Sequence, residues 1–147
     1  MPKLEYRMLN ESEGYPILYY YDSMDRTEIA IRLACDYFVK DGVTYEKTSG
    51  AIEAGCYVIY VKKAEEQDNS LPQLPNPSGK LRLELRQYVQ NSSYFPEVAV
   101  FELKDNLDAL LYLQSDFLYW LGQEWQKTSA EIDEDRKVYI FYATTVC

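Results

Sequence analysis

The chain has 147 residues, of which 47% are hydrophobic and 27% are charged, which is enough for one ordinary globular core and too few residues for two large domains. Fifteen Lys and Arg residues against 24 Asp and Glu residues leave a formal net charge of -9. This balance argues against the phosphate neutralisation that drives nucleic-acid binding. We therefore expect a single domain over residues 1–147 with no nucleic-acid partner.

Several residue types on which catalysis commonly depends are missing. The sequence has no histidine, which excludes Ser-His-Asp and Cys-His catalysis and histidine zinc ligation. It has no glycine-rich phosphate loop, and Cys35, Cys56 and Cys147 are too widely spaced for a C-x-x-C element. The sequence therefore predicts no metal, no cofactor and no catalytic residue, while an enzyme that uses carboxylate, tyrosine or cysteine chemistry remains an open alternative.

The sequence also bears on location. The N-terminus has no apolar leader segment, and no stretch approaches the roughly 18 uncharged apolar residues that a membrane span requires. An odd number of cysteines without a leader is typical of reduced thiols. We expect a cytoplasmic protein that does not associate with membranes.

The first half, about residues 1–63, has the pattern strand, strand, helix, strand. Residues 4–9 and 17–21 are short apolar runs of strand length. Asp25 offers an N-cap oxygen to a helix whose apolar positions run over residues 29–38 and which Gly42 is predicted to end. Residues 56–61, apolar on both faces, predict an interior strand.

The second half, about residues 80–147, follows the same pattern. Between the halves, residues 64–79 combine charge with three prolines and predict a linker or an exposed loop. Residues 81–86 alternate leucine with charged residues and predict a half-buried strand, and residues 98–103 predict a second. A helix over 107–121, capped by Asp105 and ended by Gly122, precedes a strand over 138–146.

The two halves match each other at an offset of 80 residues. Eleven positions are identical, where average composition gives roughly four. The identical pairs are Ser12 and Ser92, Pro16 and Pro96, Asp25 and Asp105, Leu33 and Leu113, Asp36 and Asp116, Gly42 and Gly122, Lys47 and Lys127, Thr48 and Thr128, Ser49 and Ser129, Ile52 and Ile132, and Val58 and Val138. The alternative is that two helix-then-strand units of similar length have the same cap and turn residues by coincidence. We predict an α+β fold in which two tandem strand-strand-helix-strand units form one largely antiparallel sheet with both helices on one face.

Two further polar features have ordinary interpretations. The acidic runs at residues 65–68 and 131–135 are interpreted as solvated loop charge rather than as catalytic or metal-binding carboxylates. The repeated Lys-Thr-Ser triplets at 47–49 and 127–129 are interpreted as turn chemistry before a strand rather than as a symmetric polar site.

The 15 tyrosines are the compositional anomaly, and they are either exposed for recognition or simply suited to strands. At the level of topology, the paired units resemble the duplicated effector-binding modules of the gyrase-inhibitor-like group. That resemblance implies an aromatic and acidic pocket between the units for small, often cationic ligands. On that basis Tyr20, Glu53 and Tyr60 are candidates to hold a cation by ring quadrupole and charge.

Two non-enzymatic functions follow from these patterns. The first is a cytosolic interaction or regulatory protein whose partner is another protein or a second copy in a homodimer. It is motivated by the wide apolar arc of the second helix, and its candidate contact residues are Tyr112, Tyr119 and Trp120. The alternative is a small-ligand binding module in which a tyrosine-rich cleft between the halves holds a ligand such as a lipophilic cation, because ligand sites commonly occur at such junctions.

Overall fold

The computed structural model describes residues 2–64 and 79–147, and it forms a mixed α/β fold with two helices and one sheet. The helices are α1 (Arg26–Ala34) and α2 (Asn106–Gln114), and Glu11–Glu13 form a short 3-10 helix. The ten strands are β1 (Leu4–Met8), β2 (Ile17–Tyr21), β3 (Tyr37–Lys40), β4 (Val43–Glu53), β5 (Cys56–Lys63), β6 (Arg82–Gln87), β7 (Glu97–Glu102), β8 (Phe117–Trp120), β9 (Gln123–Asp133) and β10 (Val138–Thr145). The prediction of a fold that combines two helices with one sheet is confirmed. The linker prediction and the acidic run at 65–68 lie almost wholly outside the described residues.

All ten strands belong to one sheet with the order β2-β1-β5-β4-β3-β9-β10-β6-β7, and β8 pairs with β9 beside this path. Three pairings are parallel, namely β1 with β5, β3 with β9, and β6 with β10. The other pairings among the described strands are antiparallel. The β3–β9 pairing joins a strand of the first half to a strand of the second, so the sheet is continuous across the chain.

Both helices begin where the sequence predicts and end earlier. The Asp25 carboxylate accepts the backbone N–H of Thr27 at 2.8 Å, and Asp105 accepts that of Asp108 at 2.8 Å. Residues 37–40 and 117–120, predicted as helix, form β3 and β8 instead. Aromatic and β-branched side chains suit these short strands, and the strand pairing that they gain outweighs the helical spacing of the apolar residues.

Gly42 and Gly122 therefore lie in hairpin turns and not at helix ends. Asp41 and Gly42 have φ values of 52° and 74°, and Leu121 and Gly122 have φ values of 49° and 76°. Two successive residues with positive φ form the tight turn whose twist matches antiparallel strands. Each predicted helix-strand segment is thus a helix followed by three strands.

The Lys-Thr-Ser triplets lie inside β4 and β9, so the turn interpretation is wrong. Lys47 donates its ammonium group to the carbonyl of Leu33, near the end of α1. Lys127 donates to the carbonyl of Leu113, near the end of α2, at 2.7 Å. A cation at this end of a helix compensates the carbonyl groups that have no partner within the helix.

The hydrophobic core fills the space between the sheet and the two helices, which contact each other. Tyr6 on β1 stacks on Phe38 on β3 with ring centroids 4.0 Å apart. Ile31 of α1 and Leu113 of α2 are fully buried in the same cluster. In the described residues, neither helix has the length and apolar character needed to cross a membrane.

Candidate functional site

The junction between the halves is held by backbone and side-chain contacts around β3 and β9. The N–H of Asp36 donates to the carbonyl of Ala130, and the N–H of Ala130 donates to the Asp36 carboxylate, both at 2.8 Å. Further along, Glu134 accepts hydrogen bonds from Lys40 at 2.7 Å and from Arg32 at 3.2 Å. Side chains of β3 and β9 are therefore fixed relative to each other.

A cavity of about 50 Å³ opens at this junction, and we call it the junction pocket. Its lining combines one carboxyl group, one hydroxymethyl group and four aromatic rings, contributed by Tyr37, Tyr88, Phe95, Ser129, Glu131 and Tyr142. Tyr37 comes from β3 in the first half, while the other residues come from β9, β10 and the connection between β6 and β7. The pocket therefore includes three tyrosines, none of which is among those predicted to bind a ligand, and the predicted ligand cleft stays a prediction.

The rings around the junction pocket contact one another. Tyr88 stacks on Phe95 with ring centroids 5.3 Å apart, and Phe95 meets Tyr142 edge to face at 5.4 Å. These contacts fix the orientation of three of the four rings. Aromatic faces carry negative electrostatic potential, so a lining of this kind favours cations over anions.

Glu131 is the charged group of the junction pocket. Only 6% of its surface is exposed, and its carboxylate accepts a hydrogen bond from the Tyr142 hydroxyl at 3.0 Å. Burial, followed by the negative charge of Asp133, raises the pKa of Glu131 to about 7. Burial likewise raises the pKa of Asp133. Near neutral pH, Glu131 is therefore close to the point where it gains or loses a proton.

Glu131 belongs to a cluster of five charged side chains, four of which are buried while that of Arg136 is half-buried. Glu84 accepts from Arg86 at 2.8 Å and from Arg136 at 3.2 Å. Although burial raises the pKa of Glu84, these two guanidinium groups bring it below the ordinary value. Arg136 also lies 4.0 Å from Asp133.

The cluster holds more carboxylates than guanidinium groups. Its carboxylates are Glu84, Glu131 and Asp133, and its guanidinium groups are those of Arg86 and Arg136. Arg86 and Arg136 both donate hydrogen bonds to Glu84, while Glu131 accepts one from the uncharged Tyr142 hydroxyl.

A second cavity, of about 190 Å³, lies between α1 and the β9–β10 hairpin. Its cationic lining residues are Arg32 and Lys137. Arg32 donates hydrogen bonds to Glu28 and Glu134, and its guanidinium carbon lies 4.9 Å from the centroid of the Tyr21 ring. The guanidinium group of the chain itself thus occupies the cation position between those carboxylates and rings. This arrangement stabilises the fold, and a cationic ligand would gain little binding energy there because Arg32 already pairs with these groups.

The residues predicted from the sequence to hold a cation lie elsewhere. Both carboxylate oxygens of Glu53 bond Arg7, at 3.1 Å each. Tyr60 meets Tyr15 edge to face at 5.6 Å, and Tyr20 is half-exposed and donates to Asp22 at 3.0 Å. Ligand binding by Tyr20, Glu53 and Tyr60 stays a prediction, and a cation at Glu53 would compete with Arg7.

The residues predicted to meet a partner lie on α2 and β8. Tyr119 is 69% exposed, while Tyr112 and Trp120 are half-buried against Phe101, with ring centroids at 5.6 Å and 5.0 Å. Only Tyr119 of the three therefore presents most of its surface to solvent. Their role in partner binding stays a prediction.

The acidic run at 131–135 is misread as solvated loop charge, because Glu131 and Asp133 are buried in β9. The sequence offers one signal for this, which is the alternation of side chains along a strand. Glu131 and Asp133 share one face of β9, and Ile132, on the other face, belongs to the hydrophobic core. The sequence analysis missed four further pocket residues, which are Tyr37, Tyr88, Phe95 and Ser129. A helix was predicted over Tyr37, and no local sequence pattern connects positions so far apart in the chain.

Comparison of the chain with family models, curated proteins and solved structures found no match. Within residues 2–64 and 79–147, no group of three or more acidic or cysteine side chains is arranged to hold a metal ion.

Proposed function

We propose that the chain is a non-enzymatic binding protein of the cytoplasm whose junction pocket holds a small cationic ligand. The observation that carries this proposal is the buried carboxylate of Glu131, which lines an aromatic cavity and accepts a hydrogen bond from the uncharged Tyr142 hydroxyl. The cysteines of the described chain are free thiols, which is the form that a reducing compartment maintains.

The physical argument concerns the cost of an uncompensated buried charge. A carboxylate removed from water is costly unless it is paired, and in the free protein Glu131 avoids this cost by taking up a proton. A cation bound in the pocket replaces the proton and pairs with the carboxylate where little water competes. The four rings add attraction to the same cation.

The proposal is tested by titrating the purified chain with ethylammonium chloride and with tetramethylammonium chloride at about pH 8, using calorimetry and NMR. At least one salt should bind, and Glu131→Gln should weaken it by about tenfold or more, which corresponds to about 1.4 kcal/mol. Glu102→Gln, which removes the same charge from an exposed position beside Lys80, should bind as the unaltered chain does. Equal binding by Glu131→Gln, or no binding of either salt, would overturn the proposal.

We further propose that the two halves arose by tandem duplication, with the junction pocket between the copies. Support comes from α1 and α2, which begin 80 residues apart, and from β4 and β9, which also begin 80 residues apart. The ion pair of Arg7 with Glu5 at 2.8 Å has its counterpart in Arg86 with Glu84 at 2.8 Å. Since Ala51 stands where Glu131 stands in the second half, the two copies have diverged at the pocket.

A second candidate function is a protein interaction made by α2 and β8, for which we propose a second copy of the chain as the partner. Among the described residues, β8 is paired with β9 alone, and Phe117, Tyr119 and Leu121 are exposed on alternate positions. Leu111 of α2 is 59% exposed, whereas the corresponding Ile31 of α1 is fully buried. Residues 117–123 carry no charge, so two chains of net charge -9 can meet there without bringing carboxylates together.

Light scattering coupled to size exclusion tests this second function. The chain should form a dimer, and Tyr119→Lys, which adds a charge to the exposed face, should shift it to the monomer. Tyr94→Lys, at an exposed tyrosine in the β6–β7 connection, is the matched control and should remain dimeric. A monomer at concentrations of hundreds of micromolar would contradict self-association.

A further inference from the structure

We infer that the ligand of the junction pocket is a primary ammonium group at the end of an aliphatic chain, and not a quaternary ammonium group or a metal cation. This inference rests on the proposed function and concerns which cation the pocket accepts. It follows from the volume of the cavity, the hydrogen-bonding groups on its walls and the position of its opening.

The volume limits the ligand to a few atoms. A cavity needs about 10–15 Å³ to hold one water molecule, so a cavity of about 50 Å³ holds about three to five heavy atoms. An ammonium nitrogen with the first carbons of its aliphatic chain fits that volume. A tetramethylammonium ion, with five heavy atoms, lies at its upper limit.

The polar groups of the lining match three N–H donors. The Glu131 carboxylate accepts one, and the Ser129 hydroxyl accepts a second. The Tyr142 oxygen is available as a third acceptor because its proton is donated to Glu131. A quaternary ammonium group has no N–H and would leave these oxygens without donors, which costs binding energy in a buried site.

The same lining is poorly suited to a metal cation. Hard cations such as Ca²⁺ and Mg²⁺ take about six or more oxygen ligands, and Mg²⁺ retains several of its waters. Four of the six lining side chains present aromatic rings, which favour a weakly hydrated organic cation and the methylene group beside it.

The opening of the pocket explains why the amine can belong to a longer molecule. Tyr88 is 39% exposed and forms part of the rim, whereas Glu131 lies at the buried end. The ammonium group therefore enters first, and the remainder of the aliphatic chain extends past Tyr88 toward solvent. Inorganic ammonium has the donors without the methylene group, so it should bind more weakly.

Calorimetric titration at about pH 8 with four probes separates these ideas. Propylammonium should bind at least about tenfold more tightly than tetramethylammonium, ammonium should lie between them, and neutral 1-propanol should not bind. Ser129→Val should weaken propylammonium binding, while Ser49→Val, at the corresponding position of β4 in the first half, should leave it unchanged. The Ser129→Val variant should retain the circular dichroism spectrum and unfolding midpoint of the unaltered chain.

The outcomes distinguish this inference from the proposed function. If tetramethylammonium binds as tightly as propylammonium and both depend on Glu131, the primary-amine inference is overturned and the cation-binding function stands. If Ser129→Val and Ser49→Val have equal effects, the assigned acceptor is wrong and the inference fails with it. If no probe binds, both the inference and the proposed function fall.

Discussion

Replacing Glu131 with glutamine should stabilise the protein at neutral and higher pH. The substitution keeps the size of the side chain and removes its negative charge. Burial and the neighbouring charge of Asp133 raise the pKa of Glu131 from 4.5 to about 7. At about 1.4 kcal/mol for each tenfold change in proton affinity, this difference destabilises the ionised folded state by about 3 kcal/mol.

The sign of the effect depends on pH. Below about pH 4.5 the carboxyl group is protonated in both states, so the substitution changes the free energy of unfolding little. Between about pH 4.5 and 7 the unfolded chain ionises first, and the unaltered protein loses stability as pH rises. Above about pH 7 the folded protein carries the full free-energy cost of the buried charge, and Glu131→Gln removes that cost. A glutamine amide without a hydrogen-bond partner would reduce the gain in stability by about 1 kcal/mol.

Urea denaturation of both proteins at about pH 4.5 and about pH 8 measures this difference. Other carboxyl groups titrate alike in the two proteins, so the difference between their free energies of unfolding isolates Glu131. Glu102→Gln should show little pH-dependent difference, since that residue is exposed. A variant that is equally destabilised at both pH values would refute the reasoning, because the charge of Glu131 would then not be the cause.

Four further outcomes are expected. Amine binding, measured by calorimetry, should be about tenfold weaker at about pH 6 than at about pH 8, because Glu131 must be ionised to bind a cation. The groups that face Glu131 are Asp133, Arg86, Arg136 and Tyr142. Unchanged affinity would contradict this prediction. Arg32→Met should cost about 3 kcal/mol in urea unfolding, because Glu134 and Glu28 lose a buried partner. Gly50→Ala should cost about 1 to 3 kcal/mol, because a Cβ atom there would lie 2.7 Å from Leu33 Cδ2; the reverse change at the corresponding position, Ala130→Gly, should cost about 1 kcal/mol.

The sequence predicted most strands and both helix starts because those signals are local. Alternating leucines mark β6, and Asp25 and Asp105 supply cap oxygens within three residues of the N–H groups that they accept. The helix ends were wrong because β3 is decided by residues far away in the chain. Tyr37 and Phe38 continue the helical spacing of Leu33 and Ala34, yet they pair with Glu131 and Ile132.

The Asp41-Gly42 pair carried a local signal that the periodicity concealed. Asp-Gly is among the strongest sequence signals for a two-residue hairpin, and the φ values of both residues confirm that turn. At the equivalent turn, Leu121 has a φ of 49° in place of an aspartate. Its side chain has no local reason to favour that conformation, so the pairing of β8 with β9 must hold it.

The junction pocket was beyond local reasoning because its residues come from four separate parts of the chain. Acidic residues in sequence are usually solvated, and nothing near Glu131 distinguishes it from Glu134, which finds Lys40 and Arg32 as partners. What distinguishes Glu131 is the pairing of β9 with β10, which places its carboxylate beside the Tyr142 hydroxyl. Arg86 and Arg136 donate hydrogen bonds to Glu84.

The setting of Glu131 differs from that of Glu134, another acidic residue near the junction. The half-buried carboxylate of Glu134 meets cations of the chain, and the effect of its burial is outweighed by the hydrogen bonds of Lys40 and Tyr21 that lower its pKa. Glu131 instead accepts a hydrogen bond from an uncharged hydroxyl, and burial with the charge of Asp133 raises its pKa to about 7. Because replacement by glutamine would remove this cost with a single substitution, we propose that the carboxylate is retained for the cation-binding role of the junction pocket.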